Sequence, residues 1–261
     1  MFFLSVAHTD VGIKKHTNQD SVLIKEATTD CGKVLLAVVC DGMGGLAKGE
    51  VASATLVRAF SDWFEDEFPY LIYDKEGNVK EPDYNELQKS WNQLIDVVNR
   101  KIAAYGQSCQ AACGTTLAGL LLIKNHYYIV NVGDSRVYHF SDTIHVLTKD
   151  QTFVQREMDE GRMTPEQAKV HPQRNVLLQC VGASTIVIPD FFEGTFEKEN
   201  IFMICSDGFR HLITEEEFCK IIDAKKLVTE VEMREAAVYC TELNKQRREN
   251  DNISVVLIKA G

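Results

Sequence analysis

Val38-Val39-Cys40-Asp41-Gly42-Met43-Gly44-Gly45 is an apolar run that ends in a carboxylate and passes into a glycine-rich bend. A helical pattern follows, with Ala52, Leu56, Ala59, Phe60, Trp63 and Phe64 on one face. The order predicts a buried strand that delivers Asp41 onto a turn glycine makes easily. A carboxylate held there can bind a hard cation, or it can be no more than a turn former. The choice depends on whether other strands bring further carboxylates to the same end.

The whole chain bounds the answer. Its 261 residues suit one large domain, and a chain of this length can bury a core without disulfides or structural metals. The formal charge of -10 argues against nucleic acid or an anionic membrane as partner and suits a site rich in carboxylates. No apolar run reaches the roughly 20 residues of a membrane span. Met1 to His8 lacks the basic flank of a signal peptide and reads as a first strand. The eight cysteines, mostly in apolar patterns such as those around Cys31, Cys40, Cys180, Cys205, Cys219 and Cys240, read as reduced core thiols of a cytoplasmic protein.

Strands are expected at Phe2 to His8, Ser21 to Glu26 and Val34 to Cys40. Two helices follow, the second with Leu87, Trp91, Leu94, Ile95, Val98 and Ile102 on one face and opened by Asp83 with Glu86 as a capping pair. Pro69 to Pro82 between them reads as a surface loop. Four strands at Thr115 to Ile123, Tyr127 to Val132, Val137 to Phe140 and Ile144 to Leu147 are joined by short turns, which favours antiparallel pairing. Residues 150–189 are too long for a simple connection and read as a flap, with a helix capped by Thr164 and Gln167. The last third has a strand Ile201 to Cys205, a helix from Thr214 capped with Glu217, a helix carrying Met233, Ala236, Ala237, Cys240 and Leu243, and a closing strand Ile253 to Ile258. This order is not βα alternation, so a doubly wound sheet is not expected. Two packed antiparallel sheets with helices outside, an α+β single domain over 1–261, fit it.

Asp20, Asp41, Asp134, Asp207 and Asp251 all fall at the edges of these strands. One such aspartate is commonplace; several whose strands converge form a cation cage. Ligation by oxygen alone points to Mg²⁺ or Mn²⁺, and two such ions can ionise a water and receive phosphoryl oxygens. Other chemistries lack their parts. Ser206 is not in a nucleophile elbow, no nucleotide loop is present, and no histidine pair has zinc spacing. A two-metal nuclease fits the carboxylates alone, but nothing in the chain reads as a basic groove.

Asn18-Gln19-Asp20-Ser21, Asp41-Gly42-Met43-Gly44-Gly45, Gly114-Thr115-Thr116-Leu117, Gly133-Asp134-Ser135-Arg136, Ser206-Asp207-Gly208 and Asp251-Asn252 stand in this order along nearly the whole chain. The set resembles the metal-dependent protein phosphatases of the protein phosphatase 2C (PPM) type, in their bacterial branch. The resemblance implies a four-layer αββα sandwich with a binuclear centre at one end. Asp41 would bridge two Mn²⁺ or Mg²⁺ ions, Asp207 and Asp251 would complete one, and the Gly42 carbonyl would ligate the other. Asp134 matches the aspartate for a third, weaker ion, with Asp207 contributing, and Gln19 and Asp20 match the pair that reaches the metals through water. The flap, with His171-Pro172-Gln173-Arg174-Asn175, would help set substrate choice.

Three departures stand out. Lys15 occupies the position of the usual phosphate-gripping arginine, with Lys14 beside it, and offers a point charge in place of a fork. Gln19 replaces the commoner glutamate and cannot take a proton. Met43 stands where eukaryotic relatives carry a histidine proposed as general acid. The resemblance implies hydrolysis of phosphoserine and phosphothreonine in proteins that a serine/threonine kinase modifies, by a cytoplasmic monomer. A catalytically weak phosphatase-like module that binds phosphoproteins or a regulator is the alternative.

Overall fold

The computed structural model describes residues 1–43, 48–80 and 82–261. Its first sheet is built around β10 (Ile253–Ala260), buried along its whole length between β1 (Phe3–Asp10) and β9 (Ile201–Cys205). β6 (Arg136–Phe140) and β7 (Ile144–Val146) extend it to the order β1-β10-β9-β6-β7, antiparallel throughout. The second sheet takes β2 (Ser21–Thr29), β3 (Gly32–Cys40), β4 (Leu117–Ile123), β5 (His126–Val132) and β8 (Asp190–Thr195) in that order, again antiparallel.

The strand period of two explains the layers. In β3, Leu35, Ala37 and Val39 meet Val256, Ile258 and Ala260 of β10 in a core between the sheets. Val34, Leu36, Val38 and Cys40 turn the other way, onto helices α1 (Gly49–Asp66) and α3 (Tyr84–Ser108), whose buried stripes carry Leu56, Phe60, Trp63, Trp91 and Ile95. The outer face of the first sheet is covered in the same manner. Val255 and Leu257 pack with Phe209, Phe218 and Met233 of α6 (Asp207–Arg210), α7 (Glu215–Ile221) and α8 (Glu230–Gln246). The result is the expected α+β sandwich of four layers, helices, sheet, sheet, helices.

Several local expectations change. Residues 69–82 are not wholly loop: Pro69 opens a short helix α2 (Pro69–Ile72), and Tyr73 bridges to Val79. β8 was not expected, because Gly194 interrupts a short half-buried edge strand. A Cβ on Gly194 would lie 2.4 Å from the Tyr127 hydroxyl, so the neighbouring ring requires the gap. α6 is one turn long, too short to show a period. Asp83 caps α3 by accepting from the amides of Asn85 and Glu86, but the Glu86 carboxylate pairs with Lys80 at 3.0 Å instead of closing the box. Thr164 with Gln167, opening α5 (Pro165–Val170) after α4 (Phe153–Asp159), and Thr214 with Glu217 do form full capping boxes. All eight cysteines are thiols, six of them buried; Cys109 and Cys219 are exposed. Among the described residues no helix is long and apolar enough to cross a membrane.

Candidate metal centre at the end of the sandwich

The antiparallel registers bring six loops to one end of the stack. Ser21 pairs with Cys40, so Asp20 and Asp41 leave neighbouring strand ends. Leu117 pairs with Val132, which puts the 114–116 and 133–135 turns beside them. Cys205 lies between Val255 and Arg136, so Asp207, Asp251 and Asp134 emerge from adjacent strands of the other sheet. The turns after β3 and β5, before β4 and after β9 thus share one edge.

Asp41 is held by its backbone. Its amide donates to the Thr116 hydroxyl at 2.9 Å, and its carbonyl accepts from the Thr115 hydroxyl at 3.0 Å and the Thr116 amide at 2.9 Å. The Ser135 hydroxyl, 2.7 Å from that of Thr116, ties the turn of the neighbouring strand to it. The Gly42 amide donates to the Gln19 carbonyl at 3.1 Å. A Cβ on Gly42 would lie 2.4 Å from the Gln19 carbonyl oxygen and 2.5 Å from that of Gly49, so only glycine lets these three segments meet. The Met43 amide donates to the Gly114 carbonyl at 3.0 Å. Gly44 and Gly45, which close the glycine-rich bend read from the sequence, lie outside the described residues.

The carboxylates repel one another. Burial first, and then the charges of Asp20, Asp207, Asp134 and Asp251, push the Asp41 carboxyl well above the usual carboxylate range. Asp20 is buried and pushed up to about 7, chiefly by burial and further by Asp207 and Asp251, against hydrogen bonds from Ser254 and Ser206. Asp134 is likewise pushed up to about 7, chiefly by burial and then by Asp207, with Arg210 opposing. Three of the acids have turned one oxygen to a local partner. Asp20 Oδ2 accepts from the Ser206 hydroxyl at 2.9 Å. Asp251 Oδ1 lies 2.9 Å from Lys15 Nζ, and Asp207 Oδ2 lies 3.5 Å from His211 Nε2. Among the described residues no three acid, histidine or cysteine side chains are already drawn together as a cation's ligand shell.

The donor set nevertheless fits a hard divalent cation. Asp20 Oδ1 and Asp207 Oδ1 are buried oxygens with no hydrogen-bond partner, a costly state for a carboxylate unless a charge meets it. The acids offer oxygen alone, the preference of Mg²⁺ and Mn²⁺.

The remaining sequence candidates are placed unevenly. Lys15, half-buried, reaches the acids, whereas Lys14 is exposed. Gln19 donates its side-chain amide to Glu50 Oε2 at 3.1 Å. Asn252 staples the Lys15 loop: its amide group donates to the carbonyls of Val11 and Thr17, and its Oδ1 accepts from the Gln19 amide at 2.9 Å. The 150–189 stretch reaches the edge of the site through Gln151, whose Oε1 accepts from the Gly133 amide at 2.8 Å; within His171 to Asn175, the residues after His171 are exposed. Four participants escaped the sequence reading. Glu50 sits one residue inside α1, and Arg210 ends the turn that Asp207 begins. His211, pulled down by burial but raised overall by its bond to Glu249 and the Asp207 charge, stands between those two carboxylates. Glu249 also caps the approach to Asp251 by accepting its amide at 3.0 Å.

A family model described as protein phosphatase 2C matches residues 12–238. The serine/threonine phosphatase stp of Listeria innocua is 31% identical over 254 residues, spanning 96% of this chain and 93% of its own. The crystal structure of serine/threonine phosphatase Stp1 from Staphylococcus aureus superposes with a TM-score of 0.83 at 27% identity, covering 100% of this chain and 96% of that one. The catalytic domain of the serine/threonine protein phosphatase PstP, solved in complex with 2 manganese ions, superposes with a TM-score of 0.76 at 28% identity, covering 98% and 97%.

Proposed function

The chain belongs to the protein phosphatase 2C family and is a bacterial-type protein-serine/threonine phosphatase, and from that premise we propose that Asp41, Asp207 and Asp251, with the Gly42 carbonyl, hold Mn²⁺ or Mg²⁺ ions that make the hydrolysis metal-dependent. The observation that carries the reading is the set of mutually repelling carboxylates with two orphaned buried oxygens at one end of the stack. The PstP complex with 2 manganese ions supports Mn²⁺ and a pair of ions. When bound, such ions polarise phosphoryl oxygens and lower the pKa of water.

The chain's own residues supply the rest. The Thr115, Thr116 and Ser135 hydroxyls keep Asp41 aimed along the end of β3. Ser206 orients Asp20, which with Gln19 acts at one remove from the cations. Lys15 receives the substrate phosphate: its ammonium, disfavoured by burial but held charged by Asp251, is the cation nearest the acids on the loop side. Met43 has no proton to give, so leaving-group protonation does not come from that position, and activated aryl phosphates should be good substrates. Asp134 stands apart from this set, because a guanidinium already faces it.

The substrates proposed are phosphoproteins made by a serine/threonine kinase, whose signal the enzyme reverses. The buried thiols favour a reducing compartment, the cytoplasm. The test is release of inorganic phosphate from phosphoserine and phosphothreonine peptides and from p-nitrophenyl phosphate, with Mn²⁺ and with EDTA. The reading expects turnover with Mn²⁺ that EDTA abolishes. Failure on every substrate, or turnover that EDTA leaves unchanged, sinks it.

A further inference from the structure

We infer that Arg210 serves as a built-in cation beside Asp134, in the place where the family resemblance puts a third metal ion, and that Asp134 therefore binds no divalent ion in this chain. The inference rests on the reading of Asp41, Asp207 and Asp251 as the metal centre. Arg210 ends α6, one turn after Asp207, and its side chain is only 10% exposed. Its Nη2 donates to the Asp134 carbonyl at 2.8 Å and stands 3.8 Å from Asp134 Oδ2. The same nitrogen lies 3.3 Å from Asp150 Oδ2.

The guanidinium has little freedom to leave. Asp150 is itself gripped by a two-pronged contact from Arg136, Nε to Oδ1 at 2.7 Å and Nη2 to Oδ2 at 2.8 Å. Arg136 Nη1 is in turn 3.3 Å from the Tyr138 hydroxyl. Two arginines and two aspartates thus form a network that closes its charge without help from an ion. A divalent cation on Asp134 would enter within a few ångströms of a fixed positive charge in a desolvated place, where like charges repel strongly. The pair Asp41 and Asp207 differs in kind: the basic groups nearest it, Lys15 and His211, reach Asp251 and Asp207 from the rim and are 29% and 28% exposed. A short positional signal marks the device in the sequence, arginine three residues after the aspartate of Ser206-Asp207-Gly208.

The test is a Mn²⁺ titration read by calorimetry and by equilibrium dialysis, without substrate. Wild type and Asp134→Asn should bind the same number of Mn²⁺ per chain, with dissociation constants equal within about twofold. Arg210→Gln should gain one further Mn²⁺, which the double variant with Asp134→Asn loses again. A wild type that loses a Mn²⁺ on Asp134→Asn, or a folded Arg210→Gln that gains none, overturns the inference alone. A wild type that binds no Mn²⁺ overturns the metal centre itself and this inference with it. Should Arg210→Gln not fold, the comparison of wild type with Asp134→Asn decides the matter unaided.

Discussion

Lys15 Nζ lies 2.9 Å from Asp251 Oδ1, so the loop before β2 and the loop before β10 are joined by an ion pair at the mouth of the acid cluster. Both side chains keep about a third of their surface in water, and such a pair adds little to stability. Its weight falls on substrate binding. Lys15→Ala should raise KM for a phosphopeptide about tenfold with kcat little changed, the mark of lost ground-state binding. Lys15→Arg should lower KM, because a guanidinium can grip two phosphate oxygens. Steady-state kinetics on one phosphothreonine peptide checks both; a KM indifferent to either change takes Lys15 out of the phosphate site.

Gln19 donates to Glu50 across the gap between the β2 loop and α1. The resemblance makes glutamate the commoner residue at 19, and in this chain it would face another carboxylate at hydrogen-bond distance. Gln19→Glu should therefore lower the melting temperature in EDTA by a few degrees, equivalent to about 1 kcal/mol in a protein of this size. Saturating Mn²⁺ should recover part of the loss. Differential scanning calorimetry with and without metal measures it, and an unchanged melt in EDTA would mean that Glu50 turns away at no cost.

Burial would raise the Asp150 carboxyl, but Arg210 and the bonds and charge of Arg136 overcome it and hold it below the usual range. An acid depressed in the folded state stabilises above its unfolded pKa of about 3.9, and that contribution is lost as pH falls through the lower folded value. Asp150→Asn should flatten this part of the acid-side loss. At neutral pH it should cost about 3 kcal/mol, because it leaves the buried Arg210 guanidinium and the half-buried Arg136 guanidinium short of a counter-charge. Urea unfolding between pH 3 and pH 7 tests both parts; equal pH slopes for variant and wild type would show that Asp150 does not titrate with folding.

Sequence alone reached the parts of this structure that rest on local rules. The run Val34 to Cys40 reads as a buried strand, and Gly42 reads as a turn glycine; the structure shows a different need for it, the close approach of the Gln19 and Gly49 carbonyls. The aspartates at strand ends were visible for the same reason, since each follows or precedes an apolar run. β8 escaped because an edge strand needs no continuous apolar pattern, and α6 because one turn has no period. Arg210 and Glu50 escaped for a different reason. Nothing in their spacing says that a guanidinium folds back over the Asp134 turn, or that a helix's first acid meets Gln19; both depend on how separate segments pack.

The central claim is that Asp41 anchors a divalent centre that hydrolyses phosphoserine. Asp41→Asn, assayed for Mn²⁺-dependent phosphate release and for melting temperature on the same preparation, tests it most directly. The account predicts a rate loss of at least about 10³-fold, the scale of losing a principal electrostatic stabiliser. It also predicts a melt in EDTA at or above that of wild type, since a repelled carboxylate is gone, and no upward shift with Mn²⁺. A variant that keeps its rate and still gains stability from Mn²⁺ would contradict the account.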